Sequence, residues 1–134
     1  MIQNLQIGAT ASISKKITEE DLATFANLSM DTNPIHLNEE FAKNSPFGRP
    51  IAHGLYVASF ISAVIANHLP GPGSIYLKQE IAFKKPVFLG DTVTAMVTIT
   101  EFPKPSLIRL STTCTNQNSE IVIEEIALIK RPTT

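Results

Sequence analysis

One short segment of the sequence brings together residue types that can exchange protons. Asp31 is followed by Asn33-Pro34 and then by His36, so a carboxylate and an imidazole lie five positions apart. Pro34 interrupts any continuous helix between them, whereas a turn at Asn33-Pro34 can fold their side chains towards each other. Because imidazole titrates near neutral pH, such a pair can hold a water molecule and exchange protons with it. The segment therefore predicts acid–base chemistry at Asp31 and His36.

A second feature is the glycine that opens the most apolar helical segment. Gly54 follows residues 50–53 and begins an uncharged run that extends to His68. The first amides of a helix have no intrahelical acceptor and lie at its positive end, and glycine lets a ligand approach the backbone closely. The Gly54 N–H is therefore a candidate donor to an oxygen that gains negative charge during a reaction. With the acid–base pair, it suggests chemistry beside a stabilised enolate oxygen.

Each of these residues also has a purely structural interpretation. Asp31 can cap its turn, Gly54 can be a packing or capping glycine, and Ser62 can be a small core residue of the same helix. His53 can simply anchor its loop. A zinc site formed by Asp31, His36 and His53 is conceivable, but the spacing follows no common metal pattern and no thiolate accompanies it. We therefore expect neither a metal nor another cofactor.

The elements that must position these residues follow from hydrophobic periodicity. Thr18 and Asp21 have the spacing of a capping box, which predicts a helix over residues 19–29. Turn residues punctuate residues 30–50, with a short helical piece around 38–43. The run from Gly54 to His68 is apolar or small on nearly all sides, so it predicts a helix that is buried on most sides.

Strands account for most of the remaining sequence. An imperfect alternation over residues 5–14 predicts a first strand, and four longer strands follow over residues 74–83, 91–102, 107–115 and 121–130. In the second of these four, alternate apolar residues from Val93 to Ile99 are separated by polar ones, as in a strand with one buried face. One buried helix packed against one curved antiparallel sheet is the most economical arrangement of these parts. The predicted fold class is α+β, with one domain over residues 1–134.

Composition excludes several classes of function. The 134 residues include 11 Lys+Arg and 12 Asp+Glu, a net charge of −1, so no basic surface for nucleic acid is predicted. The apolar stretch over residues 55–66 is shorter than the roughly 20 residues that cross a bilayer. Residues 1–6 show neither the cationic start nor the apolar run of a signal peptide, and the single cysteine, Cys114, cannot form an internal disulfide. We therefore expect a cytoplasmic protein without nucleic-acid or membrane partners.

Four segments of the sequence resemble the MaoC-like dehydratase family, and within it the (R)-specific enoyl-CoA hydratases. The first carries the Asp-x-Asn-Pro-x-His pattern and the second ends in His-Gly. The segments are Phe25–His36, Phe47–Gly54, Gly73–Leu77 and Phe83–Asp91. The four segments lie within residues 25–91, and the ordered combination of the first two patterns is specific. The resemblance implies a hot-dog fold, in which a curved antiparallel sheet wraps around a long central helix.

The resemblance also implies an activity. Such enzymes add water reversibly to a trans-2-enoyl thioester to give the (R)-3-hydroxyacyl thioester. By position, Asp31 and His36 would activate the water, and the Gly54 amide would bind the thioester carbonyl oxygen. Ser62 matches a position that helps to hold the aspartate, and with Asn33 it is assigned to substrate binding. The expected partners are an acyl-CoA or acyl-carrier thioester and further copies of the chain, in a homodimer or a larger assembly.

Two other functions are compatible with the same fold. A hot-dog thioesterase would attack the carbonyl carbon, but such enzymes generally place a carboxylate on or near the central helix, and residues 55–66 contain none. A non-catalytic acyl-thioester or protein-binding module would have no use for an Asp31–His36 pair beside Gly54. The sequence therefore favours the hydratase.

Overall fold

Nine elements form over residues 5–132, the part of the chain that the computed structural model describes. The helices are α1 (Glu19–Ser29), α2 (Pro34–Leu37), α3 (Glu39–Lys43) and α4 (Gly54–Asn67). The strands are β1 (Thr10–Lys16), β2 (Ile75–Phe83), β3 (Thr92–Lys104), β4 (Leu107–Thr115) and β5 (Ile121–Lys130). All five strands belong to one antiparallel sheet in the order β1-β3-β4-β5-β2, and α4 packs against it. The predicted α+β class, with one helix against one curved sheet, is confirmed.

The capping box predicted before α1 is present. Thr18 Oγ1 accepts the Asp21 N–H at 3.1 Å, and Asp21 Oδ2 accepts the Thr18 N–H at 3.0 Å. These two hydrogen bonds satisfy amides that the first helical turn leaves without partners. At the other end, Met30 has a φ of 68°, in the left-handed region, so the chain turns sharply just before Asp31.

The segment between α1 and α4 is more helical than the sequence predicts. The sequence predicts a turn at Asn33-Pro34, but the four-residue helix α2 begins there. Pro34 lies at the first helical position, where its fixed φ suits a helix and its missing N–H has no cost. The Asn33 side chain caps this helix by accepting the Ile35 N–H at 3.2 Å. The short helical piece predicted next is α3.

Helix α4 forms the core with the inner face of the sheet. Its buried side consists of Val57, Ala58, Phe60, Ile61, Val64 and Ile65. The alternation predicted for β3 is confirmed, because Val93, Ala95, Val97 and Ile99 are all fully buried. The opposite side of α4 stays exposed, however, at Leu55, Ser59, Ser62 and Ala66. A single copy of the chain therefore leaves uncovered a helix face that the sequence pattern predicts to be largely buried.

The first strand begins later than the sequence predicts. Gly8 has a φ of 92°, which breaks the extended backbone even though its N–H still donates to the Ile99 carbonyl at 2.8 Å. Regular pairing between β1 and β3 therefore starts at Thr10.

Over residues 5–132, no helix is long and apolar enough to cross a membrane.

One carboxylate is buried on the core side of the sheet. Glu125 of β5 is 3% exposed and accepts hydrogen bonds from Thr112 Oγ1 at 2.6 Å, from Gln79 Nε2 at 2.6 Å and from the Tyr76 hydroxyl. Burial and the neighbouring Glu125 raise the pKa of Tyr76, so the phenol keeps the proton that it donates. Burial, and secondly Glu125, raise the pKa of the Cys114 thiol to about 12. The cluster connects β5 to both of its neighbouring strands.

Replacing Thr112 by Val tests how much this cluster stabilises the fold. The variant keeps the side-chain shape but leaves one buried carboxylate oxygen without its hydroxyl donor, so the free energy of unfolding should fall by about 1–3 kcal/mol. Thr113→Val is the matched control, because Thr113 lies on the opposite face of β4 and should change stability by less than about 0.5 kcal/mol. Urea unfolding of both variants measures the difference, and equal losses would contradict the assignment.

Candidate active site

The structure brings Asp31 and His36 together, as the sequence predicts. The turn at Met30 and the helix α2 place one oxygen of Asp31 and one ring nitrogen of His36 within 4.8 Å of each other. The Asp31 carboxylate also accepts the Asn33 N–H at 3.2 Å, which fixes the turn locally. A water molecule that hydrogen-bonds to two groups at about 2.8 Å each can bridge such a separation. The pair therefore has the geometry to hold one water.

A backbone carbonyl sets the protonation pattern of His36. Nδ1 of His36 lies 2.7 Å from the Ile51 carbonyl oxygen. Because a carbonyl can only accept, Nδ1 must carry the proton and donate it. Nε2 of His36 then has the lone pair that can accept a proton from a bound water.

The surroundings of His36 keep it in the form that can act as a base. Burial is the largest influence and lowers the pKa of His36 below its ordinary value of 6.5, and the nearby His53 acts in the same direction. The Ile51 carbonyl and Asp31 oppose this shift without reversing it. At neutral pH the imidazole is therefore largely neutral, with Nε2 able to take a proton.

His53 lies directly behind this pair. It is 2% exposed, and its Nε2 donates to the backbone carbonyl of Asp31 at 3.0 Å. Its ring stacks on that of His36, with centroids 3.8 Å apart and planes 26° apart. From the sequence, His53 is expected to anchor its loop, with a zinc-ligand role only conceivable. Nothing in the local sequence shows these contacts, because they join residues 17 and 22 positions apart.

The arrangement of these three residues does not suit a metal ion. Imidazole binds metals through lone pairs in the plane of the ring, and the planes of His36 and His53 are nearly parallel. Their lone pairs therefore do not converge on one point within bonding distance. In addition, one nitrogen of each ring is bonded to a backbone carbonyl, and Nδ1 of His53 is fully buried.

Gly54 occupies the first position of α4, as predicted. Its N–H has no acceptor among residues 5–132, and His53, the N-cap residue, provides no side-chain cap. A Cβ at this position would lie 2.7 Å from a ring carbon of Phe83, closer than real contacts allow. A larger residue would require this half-exposed ring to move, a contact that the local sequence does not reveal. The result is an uncapped amide at the positive end of a helix of 14 residues.

A cavity of about 320 Å³ connects His36 with Gly54. Its other lining residues are mostly apolar, with two lysines: Phe47, Ile51, Ala52, Val57, Phe83, Lys84, Lys85, Pro86, Val87 and Ile123. An apolar cavity with a base on one side and a free amide on the other can bind an acyl group and act on its carbonyl end.

Comparison with known proteins identifies the family. Residues 4–120 match the family model of the MaoC like domain. The chain belongs to this family. It is 47% identical to the (R)-specific enoyl-CoA hydratase of Rhodospirillum rubrum, with 97% of this chain and 90% of the relative covered. It is 42% identical to the (R)-specific enoyl-CoA hydratase of Aeromonas caviae, with 97% and 98% covered. A solved (R)-hydratase from A. caviae superposes with a TM-score of 0.94 at 41% identity, covering 97% and 99% of the two chains.

The two other site residues predicted for this MaoC-like chain lie in different surroundings. Asn33 is exposed beside the pair, and its side-chain oxygen caps α2 while its amide group offers two further donors. Ser62 lies on the exposed face of α4, eight residues and about 12 Å along the helix from Gly54. Within the described part of one chain it makes no hydrogen bond to Asp31. Its role in holding the aspartate stays a prediction that would need contact across an assembly.

The titration of His36 is directly measurable. Since burial lowers its pKa, the C2 proton of His36 should titrate with a midpoint below 6.5 in an NMR pH series. The His36→Gln variant, which lacks the resonance, identifies the signal. A midpoint at or above 6.5 would contradict the buried, carbonyl-bonded arrangement.

Proposed function

We propose that the protein is an (R)-specific enoyl-CoA hydratase, which adds water reversibly to trans-2-enoyl-CoA to give (R)-3-hydroxyacyl-CoA. One observation supports this most directly: the Nδ1–H of His36 is bonded to the Ile51 carbonyl, which leaves Nε2 as the base of a ring that lies near Asp31 and lines the same cavity as Gly54. The relatives that share 42–47% of its residues carry this activity in their names. Because this chain spans 98% of the A. caviae enzyme, we also propose that residues 1–134 act as one domain.

The mechanism follows from the positions of these groups. Asp31 and His36 hold a water between them, and one of the pair takes its proton as the oxygen attacks C3 of the enoyl thioester. Electron density moves to the thioester oxygen, where the Gly54 N–H and the positive end of α4 stabilise it. A proton then returns to C2, so that the product has gained one hydroxyl group and one hydrogen. The pair can act as a coupled unit in both transfers.

The cavity also separates the two ends of the substrate. Its apolar residues suit the acyl chain, whereas Lys84 and Lys85 carry positive charge at exposed positions of the same lining. Both lysines also form surface ion pairs, with Glu124 at 3.6 Å and Glu120 at 2.7 Å. Such exposed pairs are weak and can be exchanged for the phosphates of CoA. Binding energy from the CoA portion then helps to position the thioester without taking part in the reaction.

Crotonyl-CoA tests the proposed activity. The wild-type protein should remove the enoyl absorbance and release no free thiol, with (R)-3-hydroxybutyryl-CoA as product. Asp31→Asn and His36→Gln should each lower kcat by about 10²–10⁴-fold, because each removes a proton-transfer group. Glu20→Gln and His68→Gln are matched controls and should retain activity.

Each alternative outcome of this assay has a defined meaning. Release of free CoA would indicate a thioesterase and contradict the hydratase. Binding without turnover, with acyl chains of several lengths, would indicate a binding module. Hydration that survives Asp31→Asn at full rate would contradict the proposed role of the pair.

We further propose that the chain forms a homodimer through β2 and the exposed face of α4. Within residues 5–132, strand β2 pairs with β5 alone, so its other edge is open along nine residues. Ile75 and Leu77 expose large apolar side chains on this strand, and Leu55 does so on α4. The small residues Ser59 and Ser62 leave α4 flat enough for close packing. A second copy can continue the sheet through β2 and cover the same helix face by two-fold symmetry.

Light scattering after size exclusion tests the dimer. The wild-type protein should have twice the monomer mass of 14.6 kDa. Ser59→Arg should shift it to the monomer mass, because a long charged side chain would be buried in the contact. Ser111→Arg, on the exposed face of β4, is the control that should remain dimeric. A monomeric wild-type protein would contradict the proposal.

A further inference from the structure

The buried imidazole of His53 is not used by the mechanism above, yet it contacts both residues that are. It bonds to the backbone of Asp31 and stacks on the ring of His36. We propose that His53 is a positioning residue that holds Asp31 and His36 in fixed positions relative to the Gly54 amide. This inference rests on the proposed hydratase function.

The hydrogen bond from His53 ties the Asp31 loop to the core. Asp31 lies in an exposed stretch, and its other hydrogen bonds, with Ser29 Oγ and the Asn33 N–H, are local contacts two residues away. The bond from His53 Nε2 to the Asp31 carbonyl joins residues 22 positions apart. Among the hydrogen bonds of the described residues, it is the one that connects Asp31 to a distant part of the chain. Without it, the carboxylate would be positioned by local turn contacts alone.

The ring of His53 restricts His36 in a second direction. The Ile51 carbonyl fixes one edge of the His36 ring, and His53 covers one face. Phe25 also packs against His53, with centroids 4.8 Å apart and planes tilted by 60°. The Ile51 carbonyl and the stacked His53 ring therefore both restrict His36, and together they set the direction of its Nε2 lone pair.

The same residue is covalently joined to the third functional group. His53 is the N-cap of α4, and the peptide bond that follows it carries the Gly54 N–H. A displacement of His53 would therefore move the amide relative to both Asp31 and His36. Proton transfer and charge stabilisation must act on the same bound thioester, so this relative position bears on the rate.

The hydrogen bonds also explain why histidine occupies this position. The Asp31 carbonyl requires a proton on Nε2, and among the described residues the buried Nδ1 atom has no hydrogen-bond partner. Phenylalanine would keep a flat ring against His36 but lose the donor. Glutamine would place an N–H near the same point but lose the ring. Histidine supplies both contacts at the cost of one unsatisfied nitrogen.

Paired variants at His53 separate these contributions. In the crotonyl-CoA assay, His53→Phe should lower kcat by about 100-fold with little change in KM, because the substrate cavity does not include this residue. His53→Gln, which restores a donor to the Asp31 carbonyl, should recover about tenfold of that loss. A simple folding role would reduce the active fraction of both variants in proportion to their stability. Full activity in His53→Phe, or equal losses in both variants, would overturn the proposal.

A second measurement does not depend on the variants or on turnover. Long-range ¹H–¹⁵N NMR of the wild-type protein reports which nitrogen of each histidine carries the proton. The proposal requires the Nε2–H tautomer at His53 and the Nδ1–H tautomer at His36. A proton on Nδ1 of His53 would overturn it even in a protein that folds and turns over normally. If the wild-type protein does not hydrate crotonyl-CoA but shows these tautomers, the proposed function fails while the positioning geometry stands.

Discussion

Burial of α4 against the sheet is the interaction on which the site depends. With Val57, Ile61 and Val64 packed against the inner face, the helix start cannot shift without opening the core. The segment just before it is held on both sides, because the Ile51 N–H donates to the Ile35 carbonyl and the Ala52 N–H to the Val87 carbonyl. Within this segment, the Ile51 carbonyl accepts from His36, the His53 ring donates to the Asp31 carbonyl, and Gly54 provides the amide without an acceptor. A rigid core therefore sets the positions of groups that belong to loops and helix ends.

The two stacked imidazoles have opposite protonation patterns, and backbone carbonyls determine both. The Ile51 carbonyl accepts a hydrogen bond from Nδ1–H of His36, whereas the Asp31 carbonyl accepts one from Nε2–H of His53. The lone pair of His36 consequently lies on Nε2, and that of His53 lies on a nitrogen that is sealed in the core. Nε2 of His36 is therefore the atom that can exchange a proton with a ligand in the adjoining cavity. Two residues of the same type thus acquire different roles from the carbonyls that they contact.

Local patterns predict most of the fold, and contacts between distant residues account for what they miss. The bounds of α1, β4 and β5 agree with the sequence, because a capping box begins α1 and the polar residues 116–119 form a turn between the two strands. The approach of Asp31 to His36 is likewise local, because the turn at Met30 and the short helix α2 bring them together. The position of Phe83 against Gly54 depends on the tertiary packing of β2 against α4, which no short pattern encodes. The exposed face of α4 is missed for the same reason, since composition alone cannot say which side of an apolar helix packs against the sheet.

Acceptor capacity distinguishes Asp31 from Glu125 and Asp91, the two buried carboxylates among the described residues. An ionised carboxylate can accept about four hydrogen bonds. Glu125 already accepts three from side chains and is buried, so it is a structural link between strands. Asp91 is also buried and accepts the Phe88 N–H and the Gln117 amide across a turn. Asp31 accepts a single backbone N–H and faces solvent beside His36, so most of its lone pairs are available to a water molecule.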